Sequence, residues 1–120
     1  MTPRTLLSRA QTGHGGVRED HIRAVERIGA WIADRFGVDA QNVHAWKCKH
    51  LRWALEVGTR DMANPTRYEY WRSVRGLIAA MGRLHDWEPH LRGPWQHPDG
   101  RQPKRGQGGR PPKVATRARG

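Results

Sequence analysis

The sequence predicts a small all-α protein. Three segments repeat apolar residues at helical spacing, and none shows the apolar and polar alternation that is typical of a strand. At 120 residues the chain has room for about one domain, and its low aliphatic content indicates a modest core. We therefore expect one small bundle of four helices.

The first predicted helix lies in EDHIRAVERIGAWIADRFG, residues 19–37. Its apolar residues recur every three or four positions: Ile22, Val25, Ile28, Ile32 and Phe36. Acidic residues begin the segment, and Gly37 stands where a C-terminal cap belongs. This segment is the strongest helix prediction in the chain.

The second predicted helix lies in NVHAWKCKHLRWALEVG, residues 42–58. At helical spacing, one apolar strip contains Leu51, Ala54 and Leu55, and an adjacent strip contains Trp46, His50, Trp53 and Val57. The remaining side of this helix carries Lys49, Arg52 and Glu56. We therefore expect a helix with two packed neighbours and one solvated face.

The third predicted helix lies in NPTRYEYWRSVRGLIAAMGR, residues 64–83. Asn64 is a good N-cap, Pro65 suits the first helical position, and Gly82 can end the helix. Its core arc contains Trp71, Val74, Leu77, Ile78 and Met81, with Tyr70 at the edge. Tyr68, Arg72 and Arg75 fall together on the flank of that arc, within roughly 60° of one another.

A shorter fourth element is predicted in LHDWEPHLRGPW, residues 84–95. Pro89 and Pro94 interrupt it, so we expect only a turn or two of helix. Its large apolar side chains, Trp87, Leu91 and Trp95, are expected to cover the other helices.

The charge is unevenly distributed along the chain. The formal net charge is +11, from 22 Lys and Arg against 11 Asp and Glu. Residues 1–18 carry three arginines and no acid, and residues 96–120 carry seven basic residues against one acid, whereas residues 19–95 carry twelve basic and ten acidic residues. We expect a flexible arm over 1–18, a helical domain over 19–95 and a disordered basic tail over 96–120. Such an excess of positive charge suggests a polyanionic partner, with nucleic acid the first expectation.

The order of AWIADRFG, CKHLRWALE and NPTRYEYWRSVRGLIAAMGR resembles the core-binding, SAM-like N-terminal domain of tyrosine recombinases and phage integrases. The resemblance covers about residues 19–95 and implies an orthogonal four-helix unit that clamps duplex DNA, largely through phosphate contacts. By this resemblance the candidate DNA contacts are Lys49, Arg52, Arg67, Tyr68, Arg72 and Arg75. The catalytic domain of that family has no counterpart here, since the chain contains no His-x-x-Arg pair. The resemblance therefore implies a binding module without strand cleavage, encoded on a mobile element.

The stretch KRGQGGRPPK, residues 104–113, is similar to an AT-hook. By that similarity Gly109, Arg110 and Pro111 would enter the minor groove of A·T-rich DNA, while Lys104, Arg105 and Lys113 reach phosphates. Gly108 stands where the motif usually has a basic residue. The alternative is a basic end that adds solubility or binds RNA loosely.

Metal and enzyme chemistry find little support in the sequence. His44, Cys48 and His50 are close together, but they do not form a recognised zinc spacing. There is no phosphate-binding glycine loop and no nucleophile elbow, so we expect a non-enzyme without a cofactor. One cysteine and no long apolar run indicate a cytoplasmic protein without a membrane partner, nucleoid-associated if bacterial.

Two functions follow from these observations. The first is a non-catalytic protein that binds double-stranded DNA, with a preference for A·T-rich sequence supplied by the tail. The second is a protein-interaction module, such as an adaptor or inhibitor, whose nearly balanced helical domain docks on another protein. The sequence leaves the oligomeric state open.

Overall fold

The structure is a computed structural model that describes residues 1–10 and 15–100, with side chains for residues 1–9 and 19–100. These residues contain five α-helices: α1 (Pro3–Ala10), α2 (Gly15–Phe36), α3 (Cys48–Trp53), α4 (Asn64–Ala80) and α5 (Leu84–Trp87). Three 3-10 turns (Val43–Ala45, Glu88–Leu91 and Pro94–Gln96) and one π turn (Ala54–Gly58) connect them. Residues 1–10 and 15–100 contain no strand, so the all-α prediction is confirmed.

The core lies mainly between α2 and α4, which pack against each other. Both contribute the faces that their apolar spacing predicted, and the fully buried members are Val25, Ile28, Ile32, Val74, Leu77 and Ile78. The α3 helix and the π turn add Leu51, Ala54 and Leu55 to the same cluster. Burial of these aliphatic side chains supplies most of the free energy that stabilises the packing of the helices.

Both predicted glycine ends are confirmed, and the predicted N-cap is not. Gly37 and Gly82 each have a φ of +75°, a left-handed conformation that glycine adopts without steric cost. At the other end of α4, Ala63 occupies the cap position and Asn64 is already helical. The Asn64 side chain instead donates from Nδ2 to the backbone oxygen of Asp99 at 3.2 Å.

The prediction of a flexible arm over residues 1–18 is wrong for the described part of that segment. Residues Pro3–Ala10 form α1, which packs on α2 and α4, and α2 itself begins at Gly15. Leu7 is only 2% exposed, and the Arg4 guanidinium contacts the carboxylates of Glu19 and Glu26 at 2.9 and 3.1 Å. Eight residues with two leucines are too short to show a period, so packing against other helices decides that this segment folds.

The second predicted helix is interrupted. Trp46 and Lys47 have extended backbone between the first 3-10 turn and α3, which begins only at Cys48. Trp46 is therefore not on a strip shared with His50, although it is buried and donates from Nε1 to the Asp39 oxygen at 2.9 Å. A π turn ends the segment, so the predicted face of Lys49, Arg52 and Glu56 is spread over two kinds of helix.

The fourth segment folds as predicted and extends further than predicted. It forms α5 and two 3-10 turns, in which Leu91 and Trp95 are buried and Trp87 is half-buried. The hydrogen bond from Asn64 to Asp99 and another from Gly100 N to the His97 oxygen, at 2.9 Å, continue the folded unit past residue 95. The predicted boundary at residue 96 is therefore wrong, because backbone acceptors beyond the last apolar residue find partners in the domain. None of the described helices is long and apolar enough to cross a bilayer.

Candidate nucleic-acid interface

The predicted tail motif lies outside the described residues. This concerns Lys104, Arg105, Gly109, Arg110, Pro111 and Lys113. The AT-hook therefore stays a prediction. The six candidates within the helical domain can be placed, and they separate into two groups.

Arg67 makes several hydrogen bonds within the domain. Its Nε donates to Thr59 Oγ1 at 2.9 Å and its Nη2 donates to the Leu55 oxygen at 2.8 Å. Its guanidinium carbon also lies 5.5 Å from the ring centroid of Trp95, within cation–π range. Internal acceptors occupy Nε and Nη2 of Arg67, and the DNA contact at this residue stays a prediction.

Arg52 holds the chain that follows α5. Its Nη1 donates to the backbone oxygens of His90 and Arg92 at 3.0 and 3.3 Å, and its Nε lies 3.7 Å from Glu56. Its guanidinium carbon is 5.6 Å from the Trp95 ring. Arg52 therefore holds the backbone at His90 and Arg92, and it also lines an open groove.

The predicted flank of α4 is divided. Tyr68 is half-buried against the core, and Arg72 is 50% exposed but paired with Glu69 at 3.3 Å. Arg75 is exposed, and no ion-pair partner for it lies among the described residues. Arg75 lines one of the two grooves that share Pro89, and Tyr68 and Arg72 line neither of them.

Two grooves of the domain share Pro89 as a lining residue. The first groove, of about 520 Å³, is lined by Cys48, Lys49, Arg52, Pro89 and His90. The second groove, of about 490 Å³, is lined by Arg75, Leu84, His85, Glu88, Pro89 and Arg92. Because Pro89 belongs to both, α3 and the end of α4 contribute to one continuous surface. The fold thereby brings together three of the six predicted residues, Lys49, Arg52 and Arg75.

Sequence reasoning missed three residues of this surface: His85, His90 and Arg92. They lie in the proline-interrupted segment that was interpreted only as a cover for the core. The sequence signal that could have indicated a binding surface was the mixture of His and Arg around Pro89. Because an interrupted segment has no regular period, the faces that these side chains share were not predictable.

The surface carries a positive balance. Glu88 is the one carboxylate that lines either groove, and it already accepts from Arg92 Nη2 at 3.3 Å and from Gln96 Nε2 at 3.2 Å. Lys49 is exposed, and no ion-pair partner for it lies in the part of the chain that the structure describes. In the first groove, burial raises the pKa of the Cys48 thiol, an effect that the nearby Arg52 partly opposes. The thiol is therefore neutral near pH 7 and leaves the cationic balance unchanged.

The buried His50 supports the start of α3 beside the first groove. Its Nδ1 accepts the backbone N–H of Lys47 at 3.0 Å, and its ring centroid lies 4.6 Å from that of Phe36. Burial, together with Lys47 and Lys49, lowers the pKa of His50 and favours the neutral ring. Within residues 1–9 and 19–100, no three His, Cys, Asp or Glu side chains are arranged to hold a metal ion. His50 therefore acts here as a cap.

Comparison with known proteins gives no match: no protein-family model, curated protein or solved structure matches this chain. The similarity to the recombinase core-binding domain accordingly stays a prediction from the sequence.

Proposed function

We propose that this protein is a non-catalytic DNA-binding protein, whose helical domain contacts duplex phosphates through the basic rims of the two grooves. The observation that carries the proposal is the convergence of Lys49, Arg52, Arg75 and Arg92 around Pro89. Lys and Arg side chains on one surface neutralise phosphates and release condensed counterions, which favours binding without base readout.

The ion pairs in the described part of the domain involve two of the four groove cations, Arg52 and Arg92, and leave the other two unpaired. Residues 1–100 carry fifteen basic and eleven acidic side chains, so the domain as a whole is only moderately basic. Five of the acids are paired internally: Glu19, Glu26, Glu56, Glu69 and Glu88. Lys49 and Arg75, by contrast, have no carboxylate partner among the described residues, and each stands at a groove.

The tail supplies a second attachment. Residues 101–120 contain seven Lys and Arg and no acid. A polycation tethered to a binding domain raises the effective concentration of that domain near DNA. By its similarity to an AT-hook, the tail also adds minor-groove contacts on A·T-rich sequence. The sequence resemblance to integrase core-binding domains is the basis for proposing an accessory or regulatory role on a mobile element.

The exposed surface favours a polyanion over a protein partner. Among the described side chains, Met1 is the one large hydrophobic side chain that is exposed, at 40%. Stable protein interfaces are usually centred on buried aromatic or aliphatic anchors. The described surface has basic grooves but only one exposed large apolar side chain, so it lacks the apolar anchors on which a stable protein interface is centred. The adaptor or inhibitor function is therefore the second candidate.

The test is a titration of a short labelled duplex, followed by fluorescence anisotropy at several salt concentrations. The full chain is compared with a chain ending at Gly100, whose fold is verified by circular dichroism. We expect both to bind, the full chain more tightly, with a logarithm of affinity that falls linearly with the logarithm of salt.

A matched pair of double variants locates the site. Lys49→Ala with Arg75→Ala removes two charges from the grooves, whereas Arg9→Ala with Arg60→Ala removes two exposed charges elsewhere. The first pair should weaken binding of the chain ending at Gly100 more than the second. Absence of duplex binding by that chain at low salt would refute the proposal for the helical domain.

A further inference from the structure

The two grooves offer more than phosphate contacts. Each combines an apolar wall with a cationic rim: Cys48 and Pro89 beside Lys49 and Arg52 in the first groove, Leu84 and Pro89 beside Arg75 and Arg92 in the second. Their volumes, about 520 and 490 Å³, fall within the range of about 300–1,000 Å³ that is typical of small organic ligands. A phosphate group alone would fill little of this space and would leave the apolar walls in water.

We propose that each groove takes one unpaired nucleotide, with its base against the apolar wall and its phosphate on the cationic rim. The surface would then bind a short single-stranded segment that crosses Pro89, such as the unpaired end of a duplex. This inference rests on the proposed nucleic-acid-binding function and names the form of nucleic acid that the grooves accept.

The chemistry of an unpaired nucleotide matches the grooves better than that of a paired one. In a duplex the bases are stacked on one another, so only phosphates and sugars would reach the rims. An unpaired base presents an apolar π-face that can lie on a side chain, and its exposed edge can hydrogen bond. His85 lines the second groove and His90 lines the first, and an imidazole can hydrogen bond to such an edge.

The rim of the first groove is already ordered. Arg52 is held by the His90 and Arg92 oxygens at 3.0 and 3.3 Å, and it lies 5.6 Å from the Trp95 ring. A guanidinium fixed in this way can meet a phosphate with little further loss of side-chain entropy. Pro89 lines both grooves, so the strand that we propose would pass over it.

Cys48 provides the readout, because it is the single cysteine of the chain and lines the first groove. The experiment measures the rate at which a small maleimide modifies Cys48 in the full chain, with saturating amounts of three probes. The probes are a short oligothymidylate, an abasic oligonucleotide of equal length and charge, and a blunt duplex. Anisotropy with labelled probes establishes saturation.

We expect the oligothymidylate to slow modification by about fivefold or more relative to the abasic strand and the blunt duplex, because base stacking contributes to binding. Equal protection by all three probes would overturn this inference and leave the proposed function intact. Absence of binding by any probe would overturn both. An oligouridylate of the same length, tested in parallel, determines whether DNA or RNA is preferred.

A pair of proline variants tests the shared wall without changing charge. Pro89→Ala removes the pyrrolidine from both grooves, and Pro98→Ala makes the same change at an exposed position outside them. Pro89→Ala should weaken oligothymidylate binding by a larger factor than blunt-duplex binding, whereas Pro98→Ala should change neither ratio. An equal factor for the two probes in the Pro89→Ala variant would refute the shared wall. Thermal unfolding curves verify that both variants are folded.

Discussion

Arg67 donates a hydrogen bond from Nη2 to the backbone oxygen of Leu55 at 2.8 Å, and so ties α4 to the π turn Ala54–Gly58. Leu55 lies in the last turn of this segment, where backbone oxygens have no following helical N–H to accept from, so its oxygen needs another donor. The buried Thr59 hydroxyl donates to the same oxygen at 2.7 Å. Arg67, which the sequence predicted as a DNA contact, therefore also stabilises the packing of α4 on the π turn.

Arg67→Ala is expected to destabilise the fold. The change removes one of the two donors to the Leu55 oxygen, leaves the Thr59 hydroxyl oxygen without its donor and removes a contact with Trp95. We therefore expect a loss of about 1–3 kcal/mol in the free energy of unfolding. Urea denaturation followed by tryptophan fluorescence measures it. Arg72→Ala, which removes an exposed arginine from the same helix, should cost about 0.5 kcal/mol or less. Similar losses for the two variants would contradict the assigned role of Arg67.

Leu7→Ala tests whether α1 belongs to the cooperative unit. Leu7 is 2% exposed in the core cluster, and truncation of a buried leucine to alanine costs about 2–5 kcal/mol. We expect a loss within that range, because Leu7 belongs to the buried core cluster. Ser8→Ala, at an exposed position of the same helix, is the control. If both variants melt at the temperature of the parent, α1 does not contribute to stability.

The stability of the domain is expected to fall as the pH falls below about 6.5, the ordinary pKa of histidine. The pKa of His50 is lowered in the folded state, so the unfolded chain binds the proton first. The stabilisation by neutral His50 is therefore complete above about pH 6.5 and is lost as the pH drops toward the folded pKa. Protonation would also replace the acceptor of the Lys47 N–H by a donor.

His50→Gln separates this effect from the other histidines of the chain. Glutamine at the third position of a helix can accept from the N-cap N–H without titrating near neutral pH. The urea midpoint of this variant, measured between about pH 5 and 8, should depend on pH less than that of the parent. An unchanged pH profile would show that His50 is not the group responsible.

Arg75→Ala and Arg72→Ala compare a groove cation with a paired one. Arg75 lines the second groove, whereas Arg72 lies 3.3 Å from Glu69. Arg75→Ala should lower the slope of log affinity against log salt by about one unit on any duplex, because one phosphate contact is lost. Arg72→Ala should lower it less. Anisotropy titrations at several salt concentrations decide between them, and a larger effect of Arg72→Ala would place the DNA on another face of α4.

Arg110→Ala and Arg117→Ala test the motif in the tail. A hook inserts Arg110 into a narrow minor groove, so its loss should weaken binding mainly on A·T-rich duplex. Arg117 has the same charge and lies outside the motif, so its loss should have a smaller effect on every duplex. The two variants are compared on matched A·T-rich and G·C-rich duplexes at one salt concentration. Equal losses on both duplexes would leave the tail as a polycation that only steers association.

The sequence by itself determined the helical class and the main core. The spacing of Ile28 and Ile32 on α2, and of Val74 and Ile78 on α4, specified which faces are buried. Gly37 and Gly82 specified where two helices end. These features are local, because a helical period and a left-handed glycine express themselves within a few residues.

The tertiary structure alone decided which cations face solvent. Arg67, Arg72 and Arg75 look alike in the sequence, yet one supports a π turn, one pairs with Glu69 and one lines a groove. The folding of α1 and the meeting of Lys49 with Pro89 depend on contacts between segments far apart in the chain. Long arginine side chains take whatever acceptors the packing brings within reach, so their roles follow from tertiary contacts that a local pattern does not contain.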